Sequence, residues 1–304
     1  MLTHLFSSPQ NPARAVIMGA GGFIGGAIAD RLARDGVPVL RLTRKEVDLL
    51  ASSAPAKLEA LLKPEDVFIA ASAIAPCKTP EMLRDNMIMA AAMTAALQQS
   101  PTAHVINISS DAVYADSDKP LTEASVMAPD NLHGVMHLAR EIMFRAAVKS
   151  PLAILRPTLV YGARDPHGGY GPNKFRRLAN RGENITLFGE GEERRDHVLV
   201  DDIAELAVRV VMRRSSGALN IATGTVTSFR SIADKVVELS ANPVKITSSP
   251  RSGPMPHGGY RPFAPDATRA AFPDFQYTPL WQGLAEAQQE EFGHGASPSA
   301  RLAS

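Results

Sequence analysis

The chain has 304 residues, 45% apolar and 21% charged, an ordinary globular composition with room for one large domain or two joined ones. Lys plus Arg (32) balances Asp plus Glu (31), so no overall field would gather nucleic acid or an anionic membrane, and neither partner is expected. A single cysteine, Cys77, excludes an intrachain disulfide and a cysteine-based zinc site, and no apolar run approaches the roughly 20 residues of a membrane helix. Residues 1–12 carry no basic stretch leading into an apolar one, so a cytoplasmic location is expected.

In chain order, residues 1–12 are expected to be disordered, and 15–18 (AVIM) read as a strand. Residues 23–35 read as a helix with Ile24, Ile28 and Leu32 at helical spacing. Strands follow at 37–42 and 67–71, then a Met/Ala-rich helix at 80–99 and a strand at 105–108. A helix at 131–148 leads into a strand at 152–155. Such alternation predicts an α/β fold, a parallel sheet covered on both faces. After Arg156 the character changes. A Gly/Pro-rich loop at 162–174 precedes a helix at 175–181, a strand at 184–188 and a turn at 189–191. Residues 198–212 read as strand then helix, with Asp201 as its cap, and 218–222 as another buried strand. A helix at 228–240 and a Pro/Gly-rich stretch at 249–265 complete a smaller lobe made of discontinuous pieces, and 293–304 is small, polar and expected to be disordered. The pentapeptide PHGGY occurs at 166–170 and again at 256–260. It is either a coincidence of two glycine-rich loops or a sign that both close over one ligand.

Residues 15–25, AVIMGAGGFIG, run a buried strand into Gly19, Gly22 and Gly25 and then into a helix. One glycine makes the tight turn, one lets the backbone approach a diphosphate, and one lets the helix pack on the strand, whose partner then offers free N–H groups. In that strand–turn–helix setting the pattern predicts a dinucleotide site that includes Phe23 and Ile24, within a Rossmann-type doubly wound sheet. The second strand ends in Thr43 and Arg44, where an acidic residue would meet a ribose 2′-hydroxyl. A guanidinium suits a 2′-phosphate, so NADP is expected over NAD, with Asp48 on the adenine side.

The glycine spacing, VINISSDAVY at 105–114, RPTLVYG at 156–162 and ERRDHVLVDDIAELA at 193–207 together resemble the extended short-chain dehydrogenase/reductase family. Its members are nucleotide-sugar epimerases, dehydratases and reductases. LTRKEVDL at 42–49 resembles its NADP-using members. The resemblance spans about residues 14–290 and implies a Rossmann domain at 13–163 and 198–224 with a substrate lobe at 164–197 and 225–292. It implies Ser110 as the catalytic serine, Ala71, Pro157 and Leu159 beside the cofactor, and Arg195 at the substrate phosphates. It also implies a homodimer formed through the helices at 80–99 and 131–148.

The family's Tyr-x-x-x-Lys is absent: in LHGVMHLARE, His133 stands at the tyrosine position and His137 at the lysine position, while the glycine and the downstream acid remain as Gly134 and Glu141. A phenol needs a nearby cation to work at pH 7, whereas an imidazole titrates near 6.5 unaided. His133 is therefore the expected proton carrier, with a rate limb near pH 6 to 7. His137 would keep the cofactor's ribose bonds and, if charged, lower the pKa of His133. Alternatively, loss of both residues marks a catalytically silent cofactor-binding protein. His133, His137 and Glu141 also share one helix face at a spacing that can hold zinc, although the family positions already account for both histidines. A sugar-nucleotide diphosphate calls for cations, for which Lys174, Arg176, Arg195 and Arg261 are the candidates, with Asn173 as a hydroxyl or phosphate contact. Glu123 and Asn86 are weaker choices, and His104, His167, His197 and His257 are expected on the surface or in loops.

Overall fold

The apolar runs become strands wherever both faces of the sheet are covered. A computed structural model describes residues 2–293. Its first part runs β1 (Thr3–His4), β2 (Arg14–Met18), α1 (Phe23–Arg34), β3 (Val39–Leu42), α2 (Ala54–Glu59), β4 (Asp66–Ala70), α3 (Pro80–Gln99), β5 (His104–Ile108), α4 (Leu132–Ala147) and β6 (Leu152–Pro157). Next come β7 (Leu159–Tyr161), α5 (Pro172–Asn180), β8 (Ile185–Phe188), β9 (Arg194–Leu199), α6 (Val200–Met212) and β10 (Ser215–Ile221). The remainder is β11 (Val226–Ser228), α7 (Phe229–Leu239), β12 (Ile246–Ser249), β13 (Tyr260–Arg261), α8 (Asp266–Ala271) and α9 (Leu280–Phe292).

The seven-stranded sheet has the order β1-β10-β6-β5-β4-β2-β3 and is parallel except for β1. Ile17, Ile69 and Ile106 face Ile28 and Leu32 of α1 and Ile203 and Leu206 of α6. Val16, Phe68 and Val105 face Leu58 of α2, Met93 and Leu97 of α3 and Phe144 of α4. This is the expected Rossmann-type sheet, and the right-handed crossovers that parallel strands require leave the strand ends free to carry a site. A second core, with Phe175, Leu187, Phe229, Ile232 and Leu284, lies under α5, α7 and α9.

Several expectations need correction. Residues 3–10 are not disordered: Thr3 and His4 pair with Ser216 and Ser215, and the amides of Leu5, Phe6 and Gln10 donate to the end of α6. The expected tail, 293–304, lies outside the described residues beyond Gly293, which ends α9 at φ +67°. Asp201 does not cap α6: Leu199 holds the cap position and Asp201 lies in the first turn. Strand β7 belongs to a separate sheet, where it pairs with β9, which also pairs with β11 and β13. This pairing joins His197 of the expected lobe to Leu159 of the expected dinucleotide part, so the two parts share one small sheet.

Candidate active site

Four chain segments leave the carboxyl ends of adjacent parallel strands and meet in one cleft of about 520 Å³. They are the glycine turn after β2, residues 71–76 after β4, the Ser110 turn after β5, and residues 157–160 after β6. Gly19 has φ +100°, and a Cβ there would lie 2.6 Å from the amide nitrogen of Ser72. At Gly25 a Cβ would lie 2.3 Å from the carbonyl of Gly19, so only glycine lets α1 pack this close to the turn. No side chain caps the start of α1. Its first N–H groups therefore remain available to an anion, and the cradle fits a dinucleotide diphosphate. Gly22, Phe23, Ile24, Gly25 and Ala71 line the cleft, as do Pro157 and Leu159. Arg44 and Asp48 lie outside it at the end of β3, in an exposed pair with Nε to Oδ2 at 3.2 Å. A Cβ on Gly21 would sit 3.3 Å from the methyl of Thr43, so the glycine turn abuts the Thr43–Arg44 strand end.

The Ser110 hydroxyl accepts from the amide of Ala112 at 3.2 Å and donates to Asp111, fixing a turn of 3₁₀ helix. Asn131 caps α4 by accepting from Gly134 N at 3.0 Å. A Cβ on Gly134 would lie 2.1 Å from the Ala112 carbonyl, so the glycine lets the first turn of α4 press against the serine turn. That contact brings His133 into the cleft with Ser110. His137 follows one turn later, its ring edge-to-face on His133 with centroids 4.7 Å apart.

Both imidazoles are neutral at pH 7. Burial pushes His133 below its ordinary value, with the charge of Asp111 pulling the other way. His137 is fully enclosed and lies well below 6.5, first through burial and then through His133 and Arg140. The expectation that a charged His137 would tune His133 is therefore replaced: burial does the tuning. The amide of Cys77 donates to Nδ1 of His133 at 3.3 Å, which leaves the neutral ring's proton on Nε2. Asn86 does not approach the cleft, because both ends of its amide bond the backbone of Ile74 and so hold the loop carrying Cys77. Glu141 is no metal ligand candidate, since Arg156 grips both its oxygens, at 2.8 and 2.6 Å. Among the described residues no group of three or more His, Cys, Asp or Glu side chains is placed to hold a metal ion.

The substrate side is more sparing in cations than expected. On β9, Arg195 and His197 share the face lining the cleft, while Asp196 turns away to bind the 223–224 loop. Arg195 donates to Glu193 at 3.2 Å, and Arg251, which the sequence reading missed, reaches the same carboxylate at 3.5 Å. Arg261 is 1% exposed and spends its guanidinium on Asp111, Asp116 and the carbonyl of Tyr114. It clamps β13 to the serine turn and does not line the cleft. Arg176 is likewise enclosed, bound to Glu291 and to the carbonyls of Gly162 and Ala287. Lys174 is exposed outside the cleft. Asn173 lines the cleft, but its amide is already engaged by Gly162 N and Asp165. Glu123 accepts from Asn220 N and is scaffold.

His104 and His197 are not surface residues. They are buried on β5 and β9, and burial lowers them to about 4 and about 3. His167 and Tyr170 from the first PHGGY and His257 from the second all line the cleft, which favours the reading of two loops facing one ligand. Arg140 was also missed. Its signal was an arginine on the buried face of an amphipathic helix, seven residues after His133.

Residues 15–222 match the family described as NAD dependent epimerase/dehydratase. The chain belongs to that family. It is an enzyme family whose members bind a nicotinamide dinucleotide and act on nucleotide-linked sugars. A UDP-glucose 4-epimerase of Mycolicibacterium smegmatis is 28% identical over 291 residues, covering 84% of this chain and 91% of the relative. The fold matches a UDP-glucose 4-epimerase of Thermotoga maritima with UDP-glucose, at a TM-score of 0.80, 20% identity and coverage of 92% and 98%. It also matches a GDP-L-fucose synthetase of Naegleria fowleri bound to NADP, at a TM-score of 0.79, 15% identity and coverage of 94% and 96%. At such identities these two likenesses speak to the fold.

Proposed function

We propose that this chain is an NADP(H)-dependent oxidoreductase or epimerase that acts on a nucleotide-linked sugar by hydride transfer at a sugar carbon. The observation that carries the reading is the convergence of Ser110, His133 and the glycine cradle on one cleft in a member of this family. Arg44 is 78% exposed at the strand end next to the glycine turn, in a solvent-exposed pair with Asp48 that a 2′-phosphate would replace, which supports NADP over NAD. A bound nicotinamide supplies or receives the hydride. Ser110 and His133 Nε2–H hydrogen-bond the sugar oxygen, and Arg195, which lines the same cleft from β9, attracts the substrate diphosphate.

The tautomer bears on direction. A neutral imidazole with its proton on Nε2 has no lone pair there to take a hydroxyl proton, whereas it can hydrogen-bond a carbonyl oxygen while hydride adds, the proton of the product alcohol coming from water. The arrangement therefore supports ketone reduction better than alcohol oxidation. His137 Nδ1 is buried with no partner, so a ribose hydroxyl reaching that depth would satisfy it. Exposed Ile88 on α3 with Val135 and Ile142 on α4 supports a homodimer through those helices.

The test is turnover of 4-keto and 4-hydroxy nucleotide sugars by the wild type and by the double variant His133→Tyr/His137→Lys. Wild-type reduction, accelerated at least tenfold in the variant, supports the reading. Tight cofactor binding by both without any wild-type turnover would make the chain a cofactor-binding protein silenced at His133.

A further inference from the structure

We propose that Arg140 supplies positive charge to the cofactor side of this site, from beneath the glycine cradle, and that the phosphates of the bound dinucleotide are its counter-charge. The inference rests on the reading of the cleft as a nicotinamide-dinucleotide site.

Arg140 is 1% exposed on α4, one turn beyond His137. Among the described residues no carboxylate lies within 4.0 Å of its guanidinium, in contrast to the other deeply buried arginines: Arg156 meets Glu141, Arg176 meets Glu291, and Arg261 meets Asp111 and Asp116. Nη1 donates to the carbonyl of Ser72 at 2.6 Å, Nη2 lies 3.4 Å from Asn107 Oδ1, and Nε has no partner. A buried cation with neutral partners only is a costly arrangement, and a scaffold role would be served by an amide. Burial accordingly draws Arg140 down to about 10, still charged at pH 7.

What lies above it supplies the reason. Ser72 backs directly onto the glycine turn, close enough that a Cβ on Gly19 would meet Ser72 N at 2.6 Å. One residue, Ser72, thus separates Arg140 from the turn that cradles the diphosphate: its N–H side faces Gly19 and its carbonyl accepts from Arg140. Neighbouring Ala71 and Ala73 line the cleft. Position 137 carries a neutral imidazole, so the cation that the family's lysine provides is missing there. Arg140 restores the charge from below: it polarises the Ser72–Ala73 peptide and finds in the cofactor's phosphates the anion that the protein does not provide.

The experiment compares wild type, Arg140→Gln and Arg140→Lys by calorimetric titration with NADPH and NADH, with thermal melts of the cofactor-free forms. Gln keeps a donor toward Ser72 without the charge; Lys keeps the charge. The expected result is a tenfold or greater rise in Kd for R140Q, with R140K within about threefold of wild type and apo melting temperatures near that of wild type. Wild-type affinity in folded R140Q would overturn the proposal and leave Arg140 as scaffold. Should R140Q fail to fold, R140K carries the test: retention of affinity supports the charge, and a tenfold loss assigns the effect to hydrogen-bond geometry instead and overturns it. If the wild type itself binds neither dinucleotide, the cofactor reading fails, an outcome distinct from failure of this proposal.

Discussion

The main-chain N–H of Cys77 points at Nδ1 of His133, 3.3 Å away, and so decides which nitrogen of the ring faces the substrate side of the cleft. The ring is held by a loop, residues 71–78, that is itself pinned at Ile74 by Asn86. In ¹⁵N-edited spectra at pH 7, His133 is expected to show a protonated Nε2 and an unprotonated Nδ1. Its titration should fall below 6.5, because burial outweighs the pull of Asp111. The rate limb anticipated at pH 6 to 7 moves down with it. A protonated Nδ1 at neutral pH would remove the argument for reduction.

Gly134 tests the mechanical link between the turn that carries Ser110 and the helix that carries His133. Gly134→Ala places a methyl 2.1 Å from the Ala112 carbonyl, a backbone atom that no side-chain rotation can clear. We expect a loss of about 1–3 kcal/mol in stability, typical of overpacking, and a fall in kcat of tenfold or more as α4 carries His133 away from Ser110. Urea melts alongside kinetics check both. Unchanged kcat would mean that the helix contact does not set the catalytic geometry.

How much of this was legible beforehand follows from what each residue type can signal. The doubly wound sheet could be read because β2 and β4 are buried on both faces and so carry the apolar runs AVIM and VFIA, while β5 shows the same burial with His104 and Asn107 within it. The cradle could be read because Gly19 and Gly25 sit where no Cβ fits. The N-terminal strand could not, since Thr3 and His4 carry no periodicity and are ordered by pairing with β10. Arginine function was the least legible: Arg261 and Arg195 look alike in sequence, and only the loops around Asp111 and Asp116 bury one and leave the other in the cleft.

That difference yields a paired prediction. Arg195→Met should raise KM for a nucleotide sugar about tenfold or more with little change in melting temperature, because its partner Glu193 retains Arg251. Arg261→Met should do the reverse, losing about 3–5 kcal/mol of stability by stranding Asp111 beside the serine turn. Equal KM effects from both would show that Arg261 also reaches substrate.

Acid should destabilise the fold well above the carboxylate range. His104 and His197 are held at about 4 and about 3 in the folded chain against 6.5 when unfolded. Below 6.5 the unfolded state binds these protons first, so the stability they contribute is complete above 6.5 and is lost as pH falls toward 4 and 3. Asp202 has the opposite sign: burial raises it to about 6 from 3.8, so the folded state binds its proton first and stability from this group falls as pH rises between those values. Burial raises Asp196 in the same direction as Asp202, but the four histidines lowered by burial, His133 and His137 included, outweigh these two carboxylates, and urea midpoints measured from pH 7 to pH 4 should decrease. A flat profile would contradict the burial of His104 and His197.

The central claim is that the cleft takes a nicotinamide dinucleotide and prefers the 2′-phosphorylated form. Calorimetric titration of the purified chain with NADPH and with NADH tests it most directly. Saturable binding of both is expected, tighter for NADPH, with the preference lost in Arg44→Ala. Binding of neither dinucleotide would contradict it.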